Sequence, residues 1–441
     1  LRGGYRLSGD ATLRAYAQEF HRGALEFADG TTAHDGWSKG QGGFRSDWST
    51  ESDSLTVQGD WYRGSLQNAG QSDGLLEGGN LLARYSHRAQ NSQFEAQLYY
   101  DDSEQFGPAG GGGFVVHTTD LSLQETLDLG SRQHLVLGGG MRLYAYGITN
   151  TASLLFEPPS HNLTLSNAFL EDNVALADRV NLMVGVKLED DPFSGWVPLP
   201  DARLSFALDQ HSTLWAAASR AIRSPTPFDD EVVEKIGPVT FLAADTRFRP
   251  ETVNAYEVGL RAQPLGELSF SISGFYNAYD DLRSVDPDPA TGFLPLRWGN
   301  SLSGHSSGVD AWAGWQPASW WRLSPGLSWV RERLHFEPGA RELLGVSQAA
   351  DDPSWHASLT SSMNLPHRLT FDATYRHVAA LPDPALRGYD AFDLRLGWRP
   401  AKGMEFSLSG VNLLHDRHLE SPPPAGEVVL RGIRAEARFR F

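Results

Sequence analysis

Residues 304–308 read Gly-His-Ser-Ser-Gly, the G-x-S-x-G spacing that sets a serine nucleophile, here Ser306, on a sharp turn between a strand and a helix. That chemistry needs the helix and a separate acid and histidine. The residues that follow, Val309 to Trp315, continue as a strand, so hydrolysis stands only as a rival reading. Arg220 and Arg223 end a strand just before the long irregular stretch 224–249. Their planar, permanently charged forks suit the carboxylates, catecholates or phosphates of an anionic ligand. Spaced three apart on a strand, they face opposite ways, so one points inward; the other use of either is to pair with loop acids. Trp298 and Asn300, at the return of a later loop, offer an aromatic ring and an amide to the same mouth, or pack within the loop.

Metal and phosphate chemistry finds less support. His415 and His418 flank Asp416 at a ligand-like spacing, without visible companions. Asp229, Asp230, Glu231, Asp286 and Asp288 lack the glycine and terminal glutamate of a calcium loop. The run Gly107 to Gly113 lacks the Lys-Ser or Lys-Thr of a phosphate loop. There is no cysteine, which excludes disulfides and thiolate metal sites. No catalytic residue, resident metal or cofactor is expected. A formal charge of −17 argues against a nucleic-acid partner, which needs clustered Lys and Arg in excess.

The elements that must position these residues are strands. From Gly432 onward, Ile433, Ala435, Ala437, Phe439 and Phe441 alternate with Arg434, Glu436, Arg438 and Arg440, the two-residue period of a β-strand with one apolar and one charged face. Leu55, Val57, Gly59 and Trp61 oppose Thr56, Gln58 and Asp60 in the same way, as do Leu369, Phe371, Ala373 and Tyr375 against Thr370, Asp372 and Thr374. Mean hydropathy is −0.35, and no apolar run reaches the roughly 18 residues of a membrane helix. Membrane strands escape that test because every second residue is polar.

Short polar turns, such as Ser49–Asp53, Gln90–Ser92, Asp209–His211 and Pro400–Gly403, alternate with long irregular stretches at Gly23–Gly36, Thr149–Asn162, Ser224–Arg249, Asp281–Asn300, His335–Pro353 and His415–Glu427. Short on one side and long on the other is the habit of membrane barrels. Trp48, Trp315, Trp320, Trp398 and Phe441 sit beside short turns, where an interfacial girdle would lie. The expected fold is all-β: a transmembrane antiparallel β-barrel of about 21 strands. Outward lipid and lipopolysaccharide are then its surroundings, and a rim arginine at 220 or 223 has lipopolysaccharide as a further partner. With short turns in the periplasm the chain ends there but begins outside, whereas bacterial barrels have even strand numbers. One strand is therefore expected upstream, giving about 22 in the parent protein. Leu1 to Leu7 is not a secretory signal, so the sequence is expected to be a portion of a longer protein.

Four stretches then carry a resemblance: Phe169–Glu189, Leu214–Pro225, Arg249–Leu282 and Gly410–Glu420 (GVNLLHDRHLE). In this order the chain resembles, over essentially residues 1–441, the barrel domain of TonB-dependent outer-membrane receptors. The resemblance implies location in the outer membrane of a Gram-negative bacterium and transport rather than catalysis. It implies uptake of a scarce solute, foremost a ferric siderophore or other iron complex, driven by the TonB complex. It also implies a plug domain and a TonB-contacting segment, neither of which the sequence supplies; both are expected upstream. Asp372, Arg376, Arg434, Glu436 and Arg438 would form the polar socket for that plug, and the terminal Phe441 an assembly signal. A plugless passive or gated porin is the alternative within the same fold.

Overall fold

The computed structural model describes all residues other than 28, 69–71, 109, 341, 342, 344, 347–351, 384, 422–425, 427 and 441. Phe441 and Glu427 thus lie outside the described residues. Strands β1 (Arg2–Arg6), β2 (Ala11–Arg22), β3 (Trp37–Ser49), β4 (Asp53–Leu66), β5 (Gly74–Arg88) and β6 (Ser92–Phe106) run antiparallel, each bonded to the one before. β7 (Gly113–Asp128) and β8 (Gln133–Thr149) follow, then a short loop strand, β9 (Leu154–Phe156). The wall resumes with β10 (Ser160–Ala177), β11 (Val180–Asp191), β12 (Gly195–Ala207) and β13 (Ser212–Arg223).

A helical turn, α1 (Pro227–Asp230), and the hairpin β14 (Val232–Ile236) and β15 (Val239–Ala243) interrupt it. Then come β16 (Glu251–Leu265), β17 (Leu268–Pro287), β18 (Leu296–Ala318), β19 (Trp321–Phe336) and β20 (Trp355–Leu365). After β21 (Leu369–Val378), β22 (Tyr389–Trp398) and β23 (Met404–Val411), a loop hairpin of β24 (Arg417–Leu419) and β25 (Val428–Leu430) leads into β26 (Gly432–Phe439). Without the loop strands β9, β14 and β15, the 24-stranded sheet has 21 strands in its wall, the number the alternation predicts. The ladder is unbroken from β1 to β26; among the described residues no ladder joins those two strands.

Burial confirms the two faces. Leu98, Leu121, Leu170, Val184, Ile272, Leu396 and Leu408 are each more than two-fifths exposed on the isolated chain, a surface that suits hydrocarbon rather than water. Their neighbours point inward and pair: Arg45 with Asp47 at 2.8 Å, Arg142 with Asp120 at 2.8 Å and Arg395 with Glu405 at 2.7 Å. Trp48, Trp315, Trp320 and Trp398 are exposed beside short turns, as a girdle requires.

One predicted loop is corrected. The stretch Asp281–Asn300 is mostly strand, because β17 reaches Pro287 and β18 starts at Leu296. The wall hairpin bends outward at Asp281, whose φ is 58°, with register shifts between Tyr279 and Leu282 and between Leu282 and Ser284. Beyond the bend Leu302 is fully buried and Leu296 nearly so, so this extension has a core to fold onto. The long-side rule also has an exception: Asp191 to Gly195 is a tight turn on the side of the long loops.

The face assignment has a direct test. Leu170→Arg, at mid-height on the outer face of β10, should destabilise the protein refolded into vesicles by about 2–4 kcal/mol, whereas Asn173→Arg on the inner face should change stability by less than about 0.5 kcal/mol. Equal losses in urea titrations would refute the assignment.

Candidate functional site

The water-soluble style of packing is found not in the wall but in the long loops. Val232, Leu242 and Leu296 form a buried cluster, with Phe156, Phe228, Val285, Leu294 and Trp298 packed around it. Strand pairing explains why: β14 bonds β9 on one side and β15 on the other, and β15 bonds the outer end of β18. Gly237, with φ of 59°, supplies the left-handed turn between β14 and β15. These pieces from three separate loops make a cap over one sector of the mouth.

A charged cage fastens the cap to the wall. Asp229, fully buried, accepts hydrogen bonds from Arg223 at 3.0 Å and from Arg283 at 3.1 Å. Arg223 also grips Glu251 with two nitrogens, at 2.8 and 3.1 Å, the bidentate geometry that guanidinium favours. Arg283 lies 4.7 Å above the Trp298 ring, and the Trp298 indole N–H donates to the Phe228 carbonyl at 3.0 Å. Glu231, also buried, accepts from the Tyr146 hydroxyl and is bonded to His161 at 2.8 Å. Asn300 donates to the carbonyls of Arg249 at 2.9 Å and Asp281 at 2.6 Å, locking two loop ends together.

Burial opposes ionisation of Asp229, but hydrogen bonds from Arg223, Thr226 and Arg283 outweigh it and hold its carboxyl below the ordinary range. Its neighbour Asp230 has no such donor among the described residues, and burial beside the Glu231 and Asp245 charges pushes it up.

The structure therefore brings Arg223, Trp298 and Asn300 into one assembly, where each grips protein. Arg220 stands apart, on the outer parity of β13 with Leu214 and opposite Asn254. The loop acids are likewise occupied: Asp286 accepts from Ser284 and Ser301, and Asp288 from Arg297 at 2.6 Å. Ser306 lies within a continuous wall strand, bonded to Tyr279 at 3.0 Å and Asn277 at 3.3 Å, and the adjacent His305 stacks on Tyr276. No elbow is formed. His418 bonds Asn412 at 3.1 Å and Glu420 at 3.0 Å, and no metal-competent group of three or more His, Cys, Asp or Glu occurs among the described residues. Asn412 does what an amide at a strand end can do: with φ of 53° and its Nδ2 donating to Val429, it starts the loop.

Beneath the cap is a cavity of about 600 Å³ on the inner face of β7, β8, β10 and β11. Phe114, Val116, Tyr144, Tyr146, Leu163 and Leu165 line the wall side, Phe156 and Pro225 to Pro227 the cap side, and Gly111 to Gly113 one rim. Glu189 and Asp191 lie at its edge, both nearly buried. Sequence reasoning missed these two. Their signal was the alternation of Lys187, Glu189 and Asp191 on one face up to Pro192, unusually charged for a strand end.

The inward charges group in two places. Asp372 lies 3.6 Å from Arg395, which reaches Glu405, and Glu405 is opposite Arg438 in the ladder; Arg438 and Arg434 flank Glu436 at 2.9 and 3.8 Å. Arg376 is separate, held by Glu420 at 3.0 Å beside Tyr389 at the loop end.

Replacing Asp229 with Ala leaves Arg223 and Arg283 facing each other. Each keeps about two-fifths of its side chain exposed (39 and 41%), so the cap should lose about 2–3 kcal/mol, below the range for fully buried pairs. Limited proteolysis should cut residues 224–249 far faster while the heat-modifiable mobility of the barrel stays unchanged. In the unaltered protein the Asp229 contribution is complete above the ordinary carboxylate pKa and is lost as pH falls through its lowered folded value, so cap protection should persist at about pH 5 and fail only in acid below the ordinary carboxylate range.

A family model described as TonB dependent receptor-like, beta-barrel, matches residues 2–413. No curated protein matches significantly. Among solved structures, the siderophore receptor PirA from Acinetobacter baumannii superposes with a TM-score of 0.80 at 12% identity, covering 100% of this chain and 77% of that one. The FrpB iron transporter from Neisseria meningitidis gives 0.79 at 13%, covering 98% and 77%. The copper transporter OprC gives 0.76 at 16%, covering 98% and 76%. Those likenesses are of fold. With the family match over nearly the whole length, they establish that the chain belongs to the TonB-dependent receptor-like β-barrel family, the transporters, not enzymes, of the Gram-negative outer membrane.

Proposed function

We propose that this protein captures a scarce solute at the outer face and passes it inward under the pull of the TonB complex, the solute being a ferric siderophore or other iron complex. The observation that carries this reading is the cavity of about 600 Å³ on the inner wall beneath a folded cap. Ligand sites of this kind are concave, mostly apolar and a few hundred to a thousand cubic ångströms. PirA is a siderophore receptor and FrpB an iron transporter, which agrees with it. In this reading the cap, hinged on Asp229, Arg223 and Arg283, frames the site, and Trp298 and Asn300 hold its shape.

A globular plug preceding residue 1 belongs to the same proposal. Its socket is the inward strip of Asp372, Arg434, Glu436 and Arg438, with Arg376 as an outer contact. Half-exposed ion pairs of this kind are individually weak, so they exchange partners at small cost when another charged surface arrives. In the same reading Arg220, on the outer face near the long loops, pairs with a lipopolysaccharide phosphate; its exposure supports this.

Deleting the gene should abolish growth on at least one member of a panel of iron chelates under iron limitation, and deleting TonB should have the same effect. Growth that survives TonB deletion would replace this reading with a passive or gated porin. For the socket, Arg438→Glu in the full-length protein should raise sensitivity to a large antibiotic that leaks past a loosened plug; unchanged sensitivity would count against it.

A further inference from the structure

We infer, on the basis of the transport reading above, that the cavity under the cap selects a solute without net negative charge: among ferric chelates, the neutral or cationic tris-hydroxamate type rather than the tris-catecholate type. The ground is the distribution of charge. Glu189 and Asp191 are the charged residues lining the cavity, and neither Arg, Lys nor His joins them among the described lining residues. The basic side chains nearby are committed elsewhere. Arg223 and Arg283 hold Asp229, and His161 is bonded to Glu231.

The two carboxylates differ in what they offer. Glu189 is paired with Lys187 at 2.5 Å. Asp191 accepts the backbone N–H groups of Phe193 and Ser194, at 3.0 and 3.1 Å, and both bonds fall on Oδ1. Two neutral donors, with no ion pair to Asp191 among the described residues, leave its negative charge uncompensated. An entering anion would give up hydration beside that charge with nothing to replace it, whereas an ammonium group would gain a partner. The remaining wall, with Phe114, Tyr144, Phe156 and Phe193, suits an apolar periphery.

Chelate chemistry turns this into a class. Three monoanionic hydroxamates neutralise ferric iron, and their backbones present methylene chains outward. Three dianionic catecholates leave the complex trianionic. Only the first kind meets a cation-free, aromatic cavity without a charge penalty.

The test uses two chelates that differ at one end only: ferrioxamine B, which carries a free ammonium group, and its N-succinyl derivative, which carries a carboxylate. Ferric enterobactin is the catecholate comparison. Binding to the purified full-length protein in detergent is measured by tryptophan quenching at low and high salt. Ferrioxamine B should bind at least about tenfold more tightly than the succinyl form at low salt, the gap should narrow at high salt, and ferric enterobactin should be weakest. Asp191→Asn keeps the oxygen that caps the turn and should reduce the gap severalfold; Glu189→Gln provides a second variant should the first fail to fold.

Equal or reversed affinities, or a gap that Asp191→Asn leaves intact, would overturn the charge inference while leaving transport standing. No binding by any of the three to folded protein, with TonB-dependent growth on another iron source, would overturn the hydroxamate class alone. No binding together with no TonB-dependent growth would overturn both readings.

Discussion

Every backbone N–H and C=O within hydrocarbon must find a partner inside the protein, and the rest of this structure follows from that requirement. A strand cannot bond to itself, so its neighbours must supply the ladder, and the ladder here runs through 21 wall strands without interruption. Side chains then have no choice of face. Leu170 meets lipid because Glu171 must not, and one residue of slip would reverse every such choice along the strand. The inner ion pairs are a consequence of the same alternation. They tile a wet wall and contribute little individually, because most keep a large part of their charged groups in water.

Freed from hydrocarbon, the long loops obey different rules. Beyond the bend at Asp281 the chain again meets water, and apolar residues must cover one another instead of facing lipid. Val232, Leu242 and Leu296 do so from three different elements, which is the packing of a small soluble domain. Such a core is too small to hold its place alone. Asp229 attaches it to two wall strands through Arg223 and Arg283, and Glu251 braces Arg223 from the far side. A buried carboxylate between two guanidiniums is costly to desolvate and costlier to break, so it defines one position for the cap rather than adding much stability.

Of the two arginines that sequence reasoning offered to an anionic ligand, Arg223 is thus consumed in making the site instead of lining it, and Arg220 stands outside it. Once Arg223 and Arg283 neutralise Asp229 and Glu251, the space they enclose is aromatic and faintly acidic. Aromatic walls and scarce cations are a selection rule in themselves, because a charged guest must either bring its own compensation or stay hydrated.

Alternation and turn chemistry alone determined the membrane β-fold, the number of wall strands, the girdle tryptophans and the inward set of charges. Each of these depends on residues two apart or on a local turn, so the information is contained in short windows. That Arg220 and Arg223 face opposite ways was legible for the same reason. What each arginine touches was not, since Asp229 and Arg283 are brought together from loops 54 residues apart. The outward extension of β17 and β18 was hidden because its stability comes from the cap core. Glu189 and Asp191 became a site only when Phe114, Tyr146 and Pro225, from other strands and a loop, closed around them. Period gives the face of a strand; only the closed assembly of distant segments decides which charges are spent on the protein and which are left for a guest.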